Sequence, residues 1–129
     1  MREYKFRAWD TSDEKAYMLG PYDLTDAIFN YKNIRRLPLM QFTGLKDKNG
    51  KEIYEGDILT STLGNGLPCQ IKFGEFHDDA ERDFDNITFI GFYFHEQTGE
   101  RTAFGKSIYG NTECFEIIGN IYENPELLK

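Results

Sequence analysis

Several groupings in this sequence hold residue types that could do chemistry. The stretch TGLKDKNGKEIYEGDIL, Thr43 to Leu59, spaces three glycines among charged residues. Such a loop cradles phosphate when it follows G-x-x-x-x-G-K-[ST], because backbone N–H groups then wrap the anion and a lysine reaches it. Gly44 and Gly50 have the wrong spacing for this. Gly50 and Lys51 are followed by Glu52, where the motif needs a Mg²⁺-binding hydroxyl. The segment LGNGLP, Leu63 to Pro68, lacks the third glycine of a dinucleotide fingerprint and runs into proline. Both read as turns.

His77, Asp78 and Asp79 resemble a ligand cluster, with Glu81, Asp83 and Asp85 nearby. A hydrolytic metal site would need a further histidine, and only His95 remains. Asp79, Asp83 and Asp85 also offer hard oxygen ligands for calcium, but not at EF-hand spacing. A solvated acidic loop, with no bound metal, is the simpler reading. Cys114 could act as a nucleophile if a fold brought His95 to it and Glu113 or Glu116 oriented the base. Nothing in the spacing enforces this, and a buried structural thiol is commoner. Pairs of carboxylates decide nothing in a chain with 22 acidic residues. No catalytic, metal-binding or cofactor-binding residue is therefore assigned, and no cofactor is expected.

The aromatics remain. On strand alternation, Phe92 and Phe94 share one face, while Phe89 and Tyr93 share the other. One face can fill a core, and the other needs cover from elsewhere in the chain or from a second subunit. Trp9 lies on the same side of its strand as Lys5 and Arg7, a setting that suits an interface. Trp9, Phe89 and Tyr93 are the candidate interface residues.

The elements that must position these residues are short. EYKFRAW alternates as a strand, with Tyr4, Phe6 and Ala8 on one face, and Ala16 to Leu19 returns as its hairpin partner. Gly20 and Pro21 are expected to break that strand. Asp23 is a candidate N-cap for a short helix carrying Leu24, Ala27, Ile28 and Tyr31 at helical spacing. Lys32 to Pro38 is a basic connection and Pro38 to Thr43 a strand. Asn49-Gly50 is the strongest turn signal, with both residues tolerant of positive φ. Around it Lys46, Asp47, Lys48 and Lys51 are expected to be solvated. Glu55-Gly56-Asp57 makes a second turn before a strand at Ile58. Cys69–Phe76, Ile87–His95, Thr102–Phe104 and Cys114–Ile118 read as further extended pieces, separated by an acidic loop at His77–Asn86 and a turn at Gln97–Glu100. Asn124 and Pro125 open a closing helical turn.

The chain has 129 residues and a formal net charge of −7. Residues 1–50 carry nine Lys/Arg against seven Asp/Glu, and residues 51–129 carry six against fifteen. So acidic a chain is repelled by phosphate backbones, and nucleic acid is not the expected partner. The first residues are charged rather than a signal sequence, no apolar run is long enough for a membrane helix, and the two cysteines suit reduced thiols. A cytoplasmic location in a bacterial host, away from membranes, is the expectation.

Three pieces, FRAWD (Phe6–Asp10), LMQFTGLKDKNGKEIYEGDIL (Leu39–Leu59) and EIIGNIYENPELL (Glu116–Leu128), resemble the YopX family of small proteins encoded by bacteriophages and prophages. The resemblance implies a β-rich fold with a small SH3-like barrel and a homo-oligomer. It brings no reaction and no catalytic residues. The region between Ser61 and Asn111 matches no family motif.

The expected fold is mostly β (α+β), with an N-terminal hairpin and short-helix lobe over 1–55. A small SH3-like barrel with a C-terminal helical turn follows over 56–129. The expected role is that of a non-enzymatic, homo-oligomeric binding protein whose acidic half could meet a basic host or phage protein. Two competitors stand beside it. One is a nucleic-acid-binding barrel using Lys5, Arg7, Arg35 and Arg36, and the other is a metal-dependent hydrolase at His77, Asp78, Asp79 and His95.

Overall fold

A computed structural model describes residues 3–11, 14–61, 68–78, 89–96, 104–107 and 114–128. Among these the chain is mostly β, in two sheets. The first has the order β2-β1-β3-β4, built from β1 (Lys5–Asp10), β2 (Tyr17–Asp23), β3 (Leu39–Lys46) and β4 (Glu52–Tyr54). The second has the order β7-β8-β6-β5-β9 and curls into a half-barrel. Its strands are β5 (Asp57–Ser61), β6 (Pro68–Asp78), β7 (Phe89–Glu96), β8 (Phe104–Ser107) and β9 (Phe115–Asn120). Two short helices, α1 (Leu24–Phe29) and α2 (Tyr31–Ile34), link β2 to β3. The expected turns at 63–67 and 97–100 and most of the acidic loop lie outside the described residues.

The core is shared by the two sheets. Ile53 of β4 packs with Leu59, Cys69, Ile71, Phe92 and Phe94 of the half-barrel, and Leu45, Phe115 and Ile117 close around them. Each such side chain contributes about 1.5–3 kcal/mol by leaving water. Phe94 stacks on Phe115 at 4.3 Å between ring centroids. As the apolar run of β7 suggests, both its faces are covered over Phe92–His95, all four of which are buried, whereas Ile90 nearer the start of the strand is 72% exposed.

Gly20 and Pro21 do not end β2. The strand runs on to Asp23, and its pairing with β1 shifts register between Phe6 and Ala8. The reason is position: β2 is the outer strand of its sheet, so a proline without an N–H costs no ladder bond there. Asp23 caps α1 as its residue type suggests, accepting from the Asp26 N–H at 2.8 Å. The helical spacing of Leu24, Ile28 and Tyr31 ordinarily marks a face turned to a core. Here α1 buries none of its residues, and all three are exposed.

The opening stretch is a set of turns. Gly44, Gly50 and Gly56 take φ of +89°, +80° and +83°. At the hairpin between β3 and β4, only Gly50 adopts positive φ; Asn49 does not. The Gly50 N–H donates to the Asp47 carbonyl at 3.0 Å, and the Asp47 N–H donates to the Lys51 carbonyl at 2.9 Å. This closes a longer loop than the two-residue turn that Asn49-Gly50 suggests, with glycine at the one left-handed position.

Candidate functional site

The polar residues with the most connections lie where the two sheets meet. The Arg7 guanidinium leaves β1 and donates to Asp57 Oδ1 at 2.7 Å. It also donates to the Glu55 carbonyl and lies over the Tyr54 ring, 4.8 Å from its centroid. The Tyr54 N–H donates to Asp57 Oδ2 at 2.8 Å. Burial pushes the Asp57 carboxyl above its ordinary range, and the Arg7 charge and the Tyr54 N–H oppose that rise without cancelling it. Burial likewise pushes the Tyr54 hydroxyl up to about 12. Beside this pair, Lys5 donates to Glu52 at 2.6 Å.

A second tie is made by Asp47. Its Oδ1 accepts from the N–H groups of Asn49 and Lys51, each at 2.9 Å, and its Oδ2 accepts from the Ile117 N–H at 3.0 Å. The expectation that Asp47 is solvated is corrected: it is 5% exposed. Its loop folds back onto β9, and the carboxylate satisfies three backbone donors there. Burial acts to raise its pKa, but those donors outweigh it and hold the carboxyl below its ordinary value. Lys46, Lys48 and Lys51 are exposed, as expected.

The third tie is the segment after β9. Asn120 Oδ1 accepts from the N–H groups of Tyr122 and Glu123, and its Nδ2 donates to Glu123 Oε2 at 2.6 Å. The Ile121 N–H donates to the Gly56 carbonyl at 2.9 Å, docking this turn onto the second turn of the opening stretch. Asn124 does not use its side chain to cap the closing turn, which is the 3-10 turn Pro125–Leu128. Its Oδ1 reaches back to the Asn120 N–H at 3.3 Å, over Gly119, and its backbone carbonyl accepts from Leu127 instead. A Cβ on Gly119 would stand 2.5 Å from Asn124 Oδ1, so the contact requires glycine.

These ties border a cleft of about 320 Å³ lined by Arg7, Lys51, Glu52, Asp57 and the backbone around Gly119. Arg7 and Asp57 bond to each other, and Glu52 bonds to Lys5. The arrangement fastens sheet to sheet.

The sequence candidates fall elsewhere. Trp9 is half-buried and stacks on Tyr122, with centroids 5.7 Å apart and planes at 20°. Tyr93 is 6% exposed. Phe89 pairs with Phe76 through its backbone, and its side chain lies outside the described residues. His95 sits opposite Gln70, whereas His77 lies seven residues further along β6. At strand rise that is about 23 Å, so His95 does not join a site at His77. Asp79, Asp83 and Asp85 lie outside the described residues. Cys69 is buried in the core and Cys114 is half-buried. Sequence reasoning missed Asp47, Asp57, Asn120 and Asn124. All four lie inside the pieces that carry the family resemblance.

Residues 19–129 match the family model of the YopX protein. The chain belongs to the YopX family. The matched span leaves out FRAWD but takes in the other two pieces, and with them Asp47, Asp57, Asn120 and Asn124. Among solved structures, the crystal structure of protein EF1440 from Enterococcus faecalis is similar over 100% of both chains, at 27% identity and a TM-score of 0.53. No curated protein matches. In this YopX-family chain, residues of the second and third pieces meet at the junction of the two sheets. Among the described residues, no helix is long and apolar enough to cross a membrane.

Proposed function

We propose that this chain is a non-enzymatic binding protein, encoded by a phage or prophage, that works as a homo-oligomer in the cytoplasm of a bacterial host. The observation that carries this reading is a contrast in how side chains are used. The buried acids Asp47 and Asp57 are engaged in ties within the chain. Large apolar side chains stand out on α1 and α2: Leu24, Ile28, Phe29 and Tyr31 are 52%, 68%, 83% and 60% exposed. Exposed apolar clusters of this kind mark interaction surfaces more often than catalytic ones. Membership in the YopX family supports the phage-type origin.

Lys5 and Arg7, two of the cations a nucleic-acid-binding barrel would need, are engaged with Glu52 and Asp57, which argues for a protein partner instead. The acidic second half offers a basic protein an electrostatically steered approach. Size-exclusion chromatography with light scattering at high micromolar concentration tests the oligomer. A mass that is a multiple of 15.1 kDa supports the reading, and a clean monomer contradicts it.

A further inference from the structure

We propose that the segment Asp23–Arg36 is the surface through which the chain associates with itself, packing antiparallel against the same segment of a second copy about a two-fold axis. The proposal rests on the homo-oligomer reading above and adds to it the location and the direction of the contact.

Three observations point to this occupant. The first is the apolar content. Four large side chains within eight residues, Leu24, Ile28 and Phe29 on α1 and Tyr31 at the start of α2, are more than half exposed; α1 has no buried residue, and α2 is held to the chain by Ile34. The second is the order of charges. Asp23 and Asp26 stand at the start of the segment, and Lys32, Arg35 and Arg36 at its end, all exposed. Among the described residues, none of the five makes an ion pair within the chain. A partner carrying one sign of charge would be repelled at one end of the segment. A parallel copy would set like charges against like. An antiparallel copy sets Asp23 and Asp26 of one chain against Arg35 and Arg36 of the other, twice over, with the apolar side chains between them. That is the self-complementarity a two-fold interface needs. The third is the neighbouring sheet edge. β2 is the outer strand, and Pro21 within it has no N–H to offer another strand, which favours helix packing over edge-to-edge pairing.

The segment has 14 residues, fewer than the roughly 20–30 residues per side of a standard stable interface. The dimer should therefore dissociate on dilution.

The test is sedimentation velocity across a dilution series on five full-length proteins: wild type, Phe29→Asp, Asp26→Lys, Arg35→Glu and the double variant Asp26→Lys/Arg35→Glu. All the substituted residues are exposed, and circular dichroism will show whether each variant keeps its fold. Wild type should dimerise and Phe29→Asp should be monomeric. Each single charge reversal should weaken the dimer about tenfold, and the double reversal should restore most of that loss. Wild type monomeric throughout overturns both this inference and the oligomer reading. Wild-type association that Phe29→Asp leaves intact overturns this inference alone. Single reversals without effect, or without rescue in the double variant, overturn the antiparallel pairing.

Discussion

Arg7 and Asp57 are 50 residues apart in the chain and meet at 2.7 Å, joining the first strand of one sheet to the first strand of the other. The contact is nearly closed to water, with 14% of the Arg7 side chain and 3% of the Asp57 side chain exposed. Burial alone would favour a neutral Asp57, and Arg7 supplies the charge that opposes this.

Arg7→Met is expected to leave Asp57 buried without its counter-charge. Breaking a buried pair from one side costs about 3–5 kcal/mol, and the lower end applies because Arg7 keeps some solvent contact. Adding Asp57→Leu should recover part of that loss. Urea denaturation of the two single variants and the double variant measures the coupling; strictly additive losses would mean that the pair does not act as a unit.

His95 is expected to make stability fall in mild acid. Burial, reinforced by the Lys72 charge, holds its pKa below the ordinary 6.5. The unfolded chain then binds the proton first, so this contribution is intact above pH 6.5 and is lost as pH falls toward the folded value. His95→Phe should flatten the stability profile between pH 7 and pH 5. An unchanged slope would mean that another group governs this window.

Gly119→Ala is expected to push Asn124 away from Asn120 and leave a buried donor without its partner, at about 1–3 kcal/mol. In a chain that already carries Asn124→Gly, the same change should cost almost nothing, because the whole side chain that the new Cβ would meet has gone. Equal losses in both backgrounds, read from thermal melts, would contradict the close approach.

Gly50→Ala forces a Cβ into the left-handed region and should cost about 1–2 kcal/mol, while Asn49→Ala should cost less. This ranking follows from the observed turn, in which Gly50 alone has positive φ. Equal costs, compared by denaturant midpoint, would instead fit the two-residue turn suggested by the sequence.

Local features were legible in the residues. The alternation of β1, the Asp23 cap, the glycine turns and the doubly buried stretch Phe92–His95 of β7 each follow from patterns a few residues long. Arg7–Asp57 and Asp47–Ile117 link positions 50 and 70 residues apart, and no local period encodes such pairs. Asp47 sits among lysines in the sequence, which made it look solvated; only the fold of its loop onto β9 buries it. Leu24, Ile28 and Tyr31 show the reverse failure. Their spacing identifies an apolar helix face, but spacing cannot say whether that face meets the chain's own core.

The central claim is that the charged residues of the opening stretch hold the two sheets together and do not grip a ligand. The most direct test is urea denaturation of Asp47→Ala at pH 7. The substitution removes the acceptor for three backbone N–H groups, so the account predicts a cooperative transition with stability lower by about 3 kcal/mol or more. A loss within about 0.5 kcal/mol, as for an ordinary surface residue, would contradict it.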